Sequence, residues 1–126
     1  YGAFDMVTDP ADKPEAESNL IPVERGRMFS LAYTDGELEN LKDPYCSPLL
    51  APDEMLQGLP EALITSCGHD NFRFEDAEYA KRLVLAGVKV TQKCFLDSYH
   101  GFIVHCTDEW EAGQQLVIDT IQRASL

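Results

Sequence analysis

Residues 62–67 read ALITSC, a compact apolar run that ends at Gly68. A short run of this kind is typical of a strand that is buried on both faces of a parallel sheet. Apolar residues then recur at helical spacing over Glu75–Ala86 and end at Gly87, a residue type that commonly stops a helix. These residues predict a strand followed by a helix. The helix face that we expect to be buried consists of Ala77, Tyr79, Ala80, Leu83 and Val84.

A second strand and a second helix follow in the same order. Residues 88–96 place apolar side chains among polar ones, which predicts a strand. Residues 110–124 predict a closing helix, which Thr107 or Asp108 can cap. The order strand, helix, strand, helix is a βαβα unit, which builds a parallel sheet with right-handed crossovers. The face of the closing helix that we expect to be buried consists of Leu116, Val117, Ile121 and Ala124.

The composition is that of a folded globular domain. Of the 126 residues, 44% are apolar and 25% are charged, and this length is enough for one domain but not for two. The 22 acidic and 10 basic residues give a net charge of −12. Because a surface this negative repels phosphate groups and anionic lipids, we expect neither a nucleic-acid partner nor a membrane-surface partner.

Four cysteines lie at positions 46, 67, 94 and 106, and none of them forms a CxxC pair. This spacing disfavours a zinc ribbon and a thioredoxin-like motif. An even number of cysteines permits two disulfides, but three of the four lie in or beside apolar segments. We therefore predict free thiols in a reducing compartment, and hence a cytoplasmic protein.

Residues 1–42 lack the regular pattern of residues 43–126, which hold the βαβα portion. We predict that residues 1–6 are the tail of a strand and that the acid-rich residues 7–19 form a solvated loop. A short lid or connector helix is predicted near Glu24–Tyr33. Four prolines between positions 44 and 60 then predict an extended connector. The buried side of the short helix is predicted to hold Met28, Phe29, Leu31 and Ala32.

Polar residues follow both predicted strands at the points where the strands end. GHDN occupies residues 68–71, and DSYHGF occupies residues 97–102. Open α/β sheets bind ligands beyond the carboxyl ends of their strands, and neighbouring strands lie about 4.8 Å apart. Asp70 can therefore reach His100 as an orienting carboxylate beside an imidazole base. A loop aspartate and a loop histidine at this separation also occur together by chance in many chains.

Several blocks of the sequence resemble the later half of an α/β-hydrolase esterase. The blocks are DPYCSPLL at residues 43–50, GLPEALI at 58–64, GHDNFRFE at 68–75, AGV at 86–88 and HGF at 100–102. The closest resemblance is to the hormone-sensitive-lipase-like carboxylesterases, which include acetyl esterases and related lipases. It covers roughly residues 43–105, and the final helix fits the last helix of that family. The resemblance implies a truncated α/β-hydrolase with two or three parallel strands and flanking helices.

The resemblance also implies an activity and two site residues. The family hydrolyses small-molecule carboxylic esters with a Ser-His-Asp triad, in the chain order nucleophile, acid, base, and without a cofactor. Asp70 matches the catalytic acid and His100 the catalytic base. The position of Tyr99 beside His100 is compatible with a place in the wall of the substrate site and equally with packing over the loop. This chain has Phe74 where the family usually has an acidic residue, and Glu75 matches the next acidic position.

The nucleophile of the family is missing from this sequence. The 126 residues contain neither a GxSxG motif nor a His-Gly-Gly oxyanion block. In the family both motifs precede the matching region, and the chain opens at Tyr1 without an initiating Met. We therefore expect a C-terminal part of a protein roughly twice as long, inactive by itself. An exposed sheet edge in such a part favours a homodimer or a larger assembly.

No other side chain makes a strong candidate for chemistry. Ser47 and Ser66 are the serines of this chain that one could consider as nucleophiles, but Ser66 lies inside a predicted strand. A metal site formed by His69, His100, His105 and Cys106 needs four side chains from separate loops to converge, so no metal is predicted. Arg73 and Glu75 are expected to pair with each other or to cap the following helix.

Two other interpretations remain open at this point. The first is a non-catalytic binding or interaction module that keeps the hydrolase-like fold. The presence of a GxSxG motif ahead of Tyr1 would indicate the enzyme, and its lack would indicate this module. The second is an unrelated βαβ domain, such as a receiver-like or flavodoxin-like unit, which does not require Asp70 and His100 to face each other.

Overall fold

A computed structural model describes residues 1–18 and 21–124, which form two strands and five α-helices. The earlier helices are α1 (Val23–Tyr33) and α2 (Asp53–Leu56), with short 3-10 turns at Ala16–Ser18, Leu38–Lys42 and Pro48–Leu50. The later elements are β1 (Ala62–Cys67), α3 (Arg73–Leu85), β2 (Val90–Phe95), α4 (Phe102–His105) and α5 (Trp110–Ala124). The predicted βαβα order is therefore confirmed, with one additional helical turn, α4, before the closing helix.

The connector between residues 44 and 60 was predicted to be extended, but it is not extended throughout. It contains a 3-10 turn that begins at Pro48 and the short helix α2, which Pro52 immediately precedes. Proline is compatible with the first turn of a helix, because the N–H group that it lacks would have no partner there. Pro48 and Pro52 therefore start helical turns in this segment.

β1 and β2 are parallel neighbours, paired along their full length, so that Cys67 lies opposite Phe95 where both strands end. β2 begins two residues later than the start predicted at Val88. The backbone N–H of Val88 donates to the carbonyl of Leu83 at 3.0 Å, in the turn that ends α3. The N–H group of Val88 therefore belongs to the turn that ends α3 and not to the strand, where the prediction had placed it.

The core consists of two small clusters. One lies between α3 and β1, and the other lies beside the carboxyl ends of the strands. The first contains Ala51, Leu56, Ile64, Ala80, Leu83 and Val88. The second contains Cys67, Phe95 and Phe102, with Tyr1, Ile103, Trp110 and Leu116 packed against it. The second cluster supports the loop that carries His100.

The two strands cover less of the helices than the sequence pattern predicts. On α3, Ala80 and Leu83 are buried, but Val84 is 57% exposed. In β1, Ile64, Ser66 and Cys67 are buried, and the other three residues are half-buried. A sheet of two strands is too narrow to cover whole helix faces, so part of each apolar stripe meets solvent. The residues predicted to be buried that are exposed in these helices are Ala77, Val84, Ile121 and Ala124.

The buried contact of α5 lies at its amino end. Gly113 is buried, and a Cβ atom at this position would lie 2.8 Å from side-chain atoms of Phe102 and Ile103. The absence of a side chain therefore allows α5 to approach α4 closely. This contact fixes the base of the loop that carries His100.

The predicted helix near residues 24–33 is present as α1, but its predicted buried side is wrong. Met28, Phe29 and Leu31 are 45–55% exposed, and Ala32 is also exposed. α1 packs against the 3-10 turn at Leu38–Lys42 and has no sheet beneath it. Hydrophobic spacing alone predicted a covered face where the described residues provide little cover.

Residues 1–6 were predicted to be the tail of a strand, but they form no strand, and they hydrogen-bond to the sheet through the amino group of Tyr1, which donates to the carbonyl of Thr65 in β1. The backbone N–H groups that follow bind side chains: Gly2 donates to Asp76 at 3.0 Å, and Phe4 donates to Glu75 at 2.8 Å. Met6 donates to the hydroxyl of Ser47 at 3.0 Å. Side-chain acceptors thus take the donors that a strand ladder would use. The predicted loop at 7–19 follows, and Asn19 lies outside the described residues.

The four cysteines are free thiols, as predicted. Cys67 is buried, Cys46 and Cys94 are half-buried, and Cys106 is exposed. Within residues 1–18 and 21–124, no helix has both the length and the apolar character that crossing a bilayer requires. The cytoplasmic location stays a prediction.

Candidate active site

The in-register ends of β1 and β2 bring two loops together. The acid loop (residues 68–72) follows β1, and the base loop (residues 96–101) follows β2. The backbone N–H of Gly68 donates to the carbonyl of Phe95 at 2.8 Å. A Cβ atom on Gly68 would lie 2.0 Å from the carbonyl oxygen of Leu96. Glycine is therefore required where the two chain segments cross.

The two loops place Asp70 against His100. Nδ1 of His100 lies 2.7 Å from Oδ2 of Asp70. The Asp70 side chain is completely buried, whereas the His100 side chain is 28% exposed. The other carboxylate oxygen of Asp70 accepts the backbone N–H of Phe72 at 3.1 Å. Both carboxylate oxygens of Asp70 therefore have a hydrogen-bond partner. The imidazole of His100 is bound through Nδ1, and its side chain is partly exposed.

Aromatic rings surround the imidazole of His100. The rings of Tyr1 and Phe72 approach it edge-on, with centroid distances of 5.1 and 5.6 Å. Below the loop, Phe102 is completely buried against Phe95, at a centroid distance of 5.0 Å. These contacts restrict the orientation of the ring that Asp70 holds.

A cavity of about 320 Å³ lies beside His100. Its walls come from residues 1–16, from the middle of α1, from the acid loop and from the base loop, and include Tyr1, Thr8, Lys13, Phe29, Phe72 and His100. Tyr99, a candidate for the substrate wall, does not line this cavity. Its ring stacks on His69 instead, at a centroid distance of 4.6 Å. The sequence placed Tyr99 near the site but could not indicate on which side of the loop it lies.

Comparison with known proteins bears on this arrangement. A family model described as the alpha/beta hydrolase fold matches residues 2–104. The chain belongs to the α/β-hydrolase fold family. This match confirms the predicted fold class and excludes an unrelated receiver-like or flavodoxin-like unit.

The curated relatives of this α/β-hydrolase chain include ester hydrolases, lipases and arylacetamide deacetylase-like proteins. Rat neutral cholesterol ester hydrolase 1 is 46% identical over 68 residues, which cover 54% of this chain and 17% of that protein. Human hormone-sensitive lipase is 32% identical over 111 residues, which cover 75% of this chain and 10% of that protein. The predicted resemblance is confirmed, and the chain spans less than a fifth of either relative.

Solved structures of esterases align with the same region. A thermostable esterase from Pseudomonas putida aligns at a TM-score of 0.62 and 32% identity, over 67% of this chain and 26% of that structure. An esterase from Pyrobaculum calidifontis aligns at a TM-score of 0.79 and 20% identity, over 98% of this chain and 41% of that structure. The second alignment supports the shared fold alone.

Glu75 and Arg73 have partners that the sequence did not predict. The Glu75 carboxylate accepts the backbone N–H groups of Phe4 and Asp5, both at 2.8 Å, and pairs with the ammonium group of Lys13. Arg73 pairs with Glu15 at 2.8 Å and does not pair with Glu75. These partners lie about 60 to 70 positions away in the sequence, so no local pattern indicates them. The predicted pairing of Arg73 with Glu75 was therefore wrong. These bonds attach the cavity wall to the helix that follows Asp70.

Lys13 lies in the segment that was predicted to be a solvated loop, but its side chain is 9% exposed. Its ammonium group also lies 5.1 Å from the ring centroid of Phe72. The negative charge of Glu75 offsets the cost of burying this cation. Part of the acid-rich loop is therefore packed against the site.

Neither of the two serines considered as nucleophiles presents its hydroxyl at His100. Ser47 is buried and donates to the carbonyl of Leu41 at 2.6 Å, and Ser66 is buried within β1. Burial, and to a smaller extent the charge of Asp70, raise the pKa of the Cys67 thiol to about 12. Because the thiolate is the nucleophilic form, Cys67 is inert at neutral pH. Within the described residues, no three His, Cys, Asp or Glu side chains converge to hold a metal.

Asp76 is a buried carboxylate that the sequence pattern did not single out. Its side chain is completely buried, and Oδ1 accepts the N–H of Gly2 at 3.0 Å, whereas Oδ2 has no hydrogen-bond partner among the described residues and lies 3.9 Å from the amino group of Tyr1. Burial is the main cause that raises the pKa of Asp76 to about 6, while the amino group of Tyr1 and the N–H of Gly2 act in the opposite direction. The folded protein therefore binds this proton more tightly than the unfolded chain does.

We expect Asp76→Asn to stabilise the protein at neutral pH but not at pH 4. The neutral carboxyl contributes its stability below the ordinary pKa near 4, and that stability is lost as pH rises through about 6. The gain above pH 7 should reach about 3 kcal/mol at most, from a pKa difference of about two units. Urea unfolding at pH 4 and pH 7.5 measures it, with the exposed Asp97→Asn as control. Equal stability of Asp76→Asn and the unsubstituted chain at pH 7.5 would contradict the prediction.

Proposed function

We propose that this chain supplies the acid and the base of a serine carboxylic-ester hydrolase. The observation that carries the proposal is the 2.7 Å contact between Nδ1 of His100 and Oδ2 of Asp70. An imidazole that donates from Nδ1 to a carboxylate keeps Nε2 available to accept a proton. The names of the relatives, ester hydrolases and a lipase, support the same class of reaction.

In this mechanism His100 moves one proton in each half of the reaction. It accepts the proton of a serine hydroxyl as the oxygen attacks the ester carbonyl, and it returns that proton to the alcohol that leaves. A water molecule then gives its proton to the same imidazole as it attacks the acyl-serine ester, and the imidazolium returns that proton to the serine oxygen as the acyl–serine bond breaks and the carboxylic acid is released. Asp70 stays ionised throughout and stabilises the imidazolium that forms in each step.

The substrate in this proposal is a small-molecule carboxylic ester that occupies the cavity beside His100. Tyr1, Phe29 and Phe72 give the cavity apolar walls, which favour the uncharged parts of such an ester. The serine and the oxyanion donors would come from sequence ahead of Tyr1, since neither motif occurs in the chain.

The direct test is an esterase assay on the chain alone. We expect it to hydrolyse p-nitrophenyl acetate no faster than its His100→Ala variant does. An acid and a base without a nucleophile and an oxyanion hole do not complete acyl transfer by this mechanism. Turnover above the buffer rate that disappears in His100→Ala would show that a nucleophile lies within the 126 residues, against the proposal.

A binding module is the alternative function. The observation that favours it is a cavity with aromatic walls in a chain that carries no nucleophile motif. The two functions differ in what precedes Tyr1. A GxSxG motif there supports the enzyme, and its lack supports the binding module.

We also propose that the chain self-associates through its uncovered sheet and helix surfaces. A two-stranded sheet leaves an unpaired edge on each side, and unpaired edges recruit other strands. Apolar side chains beside the sheet are also exposed, including Val84, Leu85 and Leu96. Size-exclusion chromatography with light scattering should give a dimer or a larger species. A stable monomer of 14.1 kDa would contradict this expectation.

A further inference from the structure

The acid loop and the base loop are joined on two sides of their backbones. On the inner side, Asp70 contacts His100. On the outer side, the rings of His69 and Tyr99 stack at a centroid distance of 4.6 Å and an interplanar angle of 19°. His69 immediately precedes Asp70, and Tyr99 immediately precedes His100. Each ring is therefore one residue away from a member of the inner pair.

We propose that His69 and Tyr99 are positioning residues whose ring stack holds Asp70 and His100 at hydrogen-bond distance. The proposal deepens the proposed function, on which its catalytic meaning rests. The backbone N–H of His69 also donates to the carbonyl of Ser98 at 3.1 Å, next to the stack. A shift of one loop relative to the other must break this bond and the stack together with the inner contact.

Each loop is also anchored to its own side of the molecule. In the acid loop, the guanidinium of Arg73 donates to the carbonyl of Gly68 at 2.9 Å. In the base loop, the hydroxyl of Ser98 and the carboxylate of Glu109 lie 3.2 Å apart, and Ser98 is completely buried. These anchors fix each loop separately. The stack of His69 on Tyr99 adds a side-chain link between them.

The exposure of the two rings separates a positioning role from a structural one. Tyr99 is 45% exposed and His69 is exposed, so their removal takes little apolar area out of the core. Both core clusters lack these residues. Loss of the stack should therefore loosen the contact between Asp70 and His100 while the fold persists.

The test measures the proton on Nδ1 of His100 by NMR, through its rate of exchange with water. We expect exchange to be about three- to tenfold faster in Tyr99→Ala and in His69→Ala, in line with the strength of an aromatic pair. Tyr99→Phe should match the unsubstituted chain, because a phenyl ring stacks without the hydroxyl. The double variant should exchange no faster than either single variant, since both remove one contact.

Controls separate this effect from unfolding and from the proposed function. Tyr45→Ala removes a tyrosine that is 83% exposed elsewhere, and it should leave the exchange rate unchanged. Amide exchange in β1 reports whether each variant is folded, and His69→Ala serves if Tyr99→Ala does not fold. An unchanged Nδ1 proton in both folded alanine variants would overturn the proposal. The measurement needs no catalysis. Its result therefore does not depend on whether the proposed hydrolase function is correct.

Discussion

Replacing Asp70 by Asn should lower kcat for ester hydrolysis by about 10⁴-fold, in a longer polypeptide that carries a serine nucleophile ahead of Tyr1. Oδ2 of Asp70 lies 2.7 Å from Nδ1 of His100. An asparagine amide can present its N–H₂ group to Nδ1, which places the imidazole proton on Nε2. That tautomer cannot accept the proton of the serine.

His100→Ala should lower kcat at least as far, because the base itself is removed. Asp76→Asn is the matched control: it makes the same change at a second buried carboxylate of this region, one that does not bind His100. We expect Asp76→Asn to change kcat by no more than a few-fold. Equal losses in Asp70→Asn and Asp76→Asn would mean that the loss follows from disturbed packing and would contradict the assigned role of Asp70.

The second large effect should come from Gly68→Ala. The added Cβ would lie 2.0 Å from the carbonyl oxygen of Leu96 and 2.7 Å from its carbonyl carbon. Both are backbone atoms, so no side-chain rotation relieves the clash, and the ends of β1 and β2 must separate. We expect a loss of about 3 to 5 kcal/mol in the free energy of unfolding, at the upper end of single substitutions.

The comparison for Gly68→Ala is Gly36→Ala. Gly36 has a φ of +86°, and a Cβ atom there would have no neighbouring atom within 4 Å, so alanine meets strain without a clash. That strain costs about 1 to 2 kcal/mol. Urea unfolding gives both values, and the Nδ1 proton of His100 reports the separation of the loops. A Gly68→Ala protein as stable as Gly36→Ala would show that the crossing of the two chain segments is looser than the structure indicates.

Local patterns were sufficient for the elements that carry the site. The apolar run at residues 62–67 predicted β1, and the helical spacing after it predicted α3 to within two residues. The bounds of α5 were predicted correctly. The meeting of Asp70 and His100 also followed, because parallel strands in register end side by side.

Contacts between distant segments could not be predicted in this way. Nothing local in the sequence indicates that Glu75 binds the backbone of Phe4 and Asp5, or that Asp76 is buried. The exposed face of α1 was missed for the converse reason, since its apolar spacing is the same whether or not another layer covers it.

The sequence by itself determined the order of strands and helices, the family resemblance and the two residues, Asp70 and His100, at the ends of the strands. Tertiary structure alone decided on which side of its loop Tyr99 lies, which residues form the cavity and which apolar faces stay uncovered. The physical reason is range: helix and strand periodicity is set by neighbours a few residues apart. Burial and side-chain partners depend on segments that only the folded chain brings together.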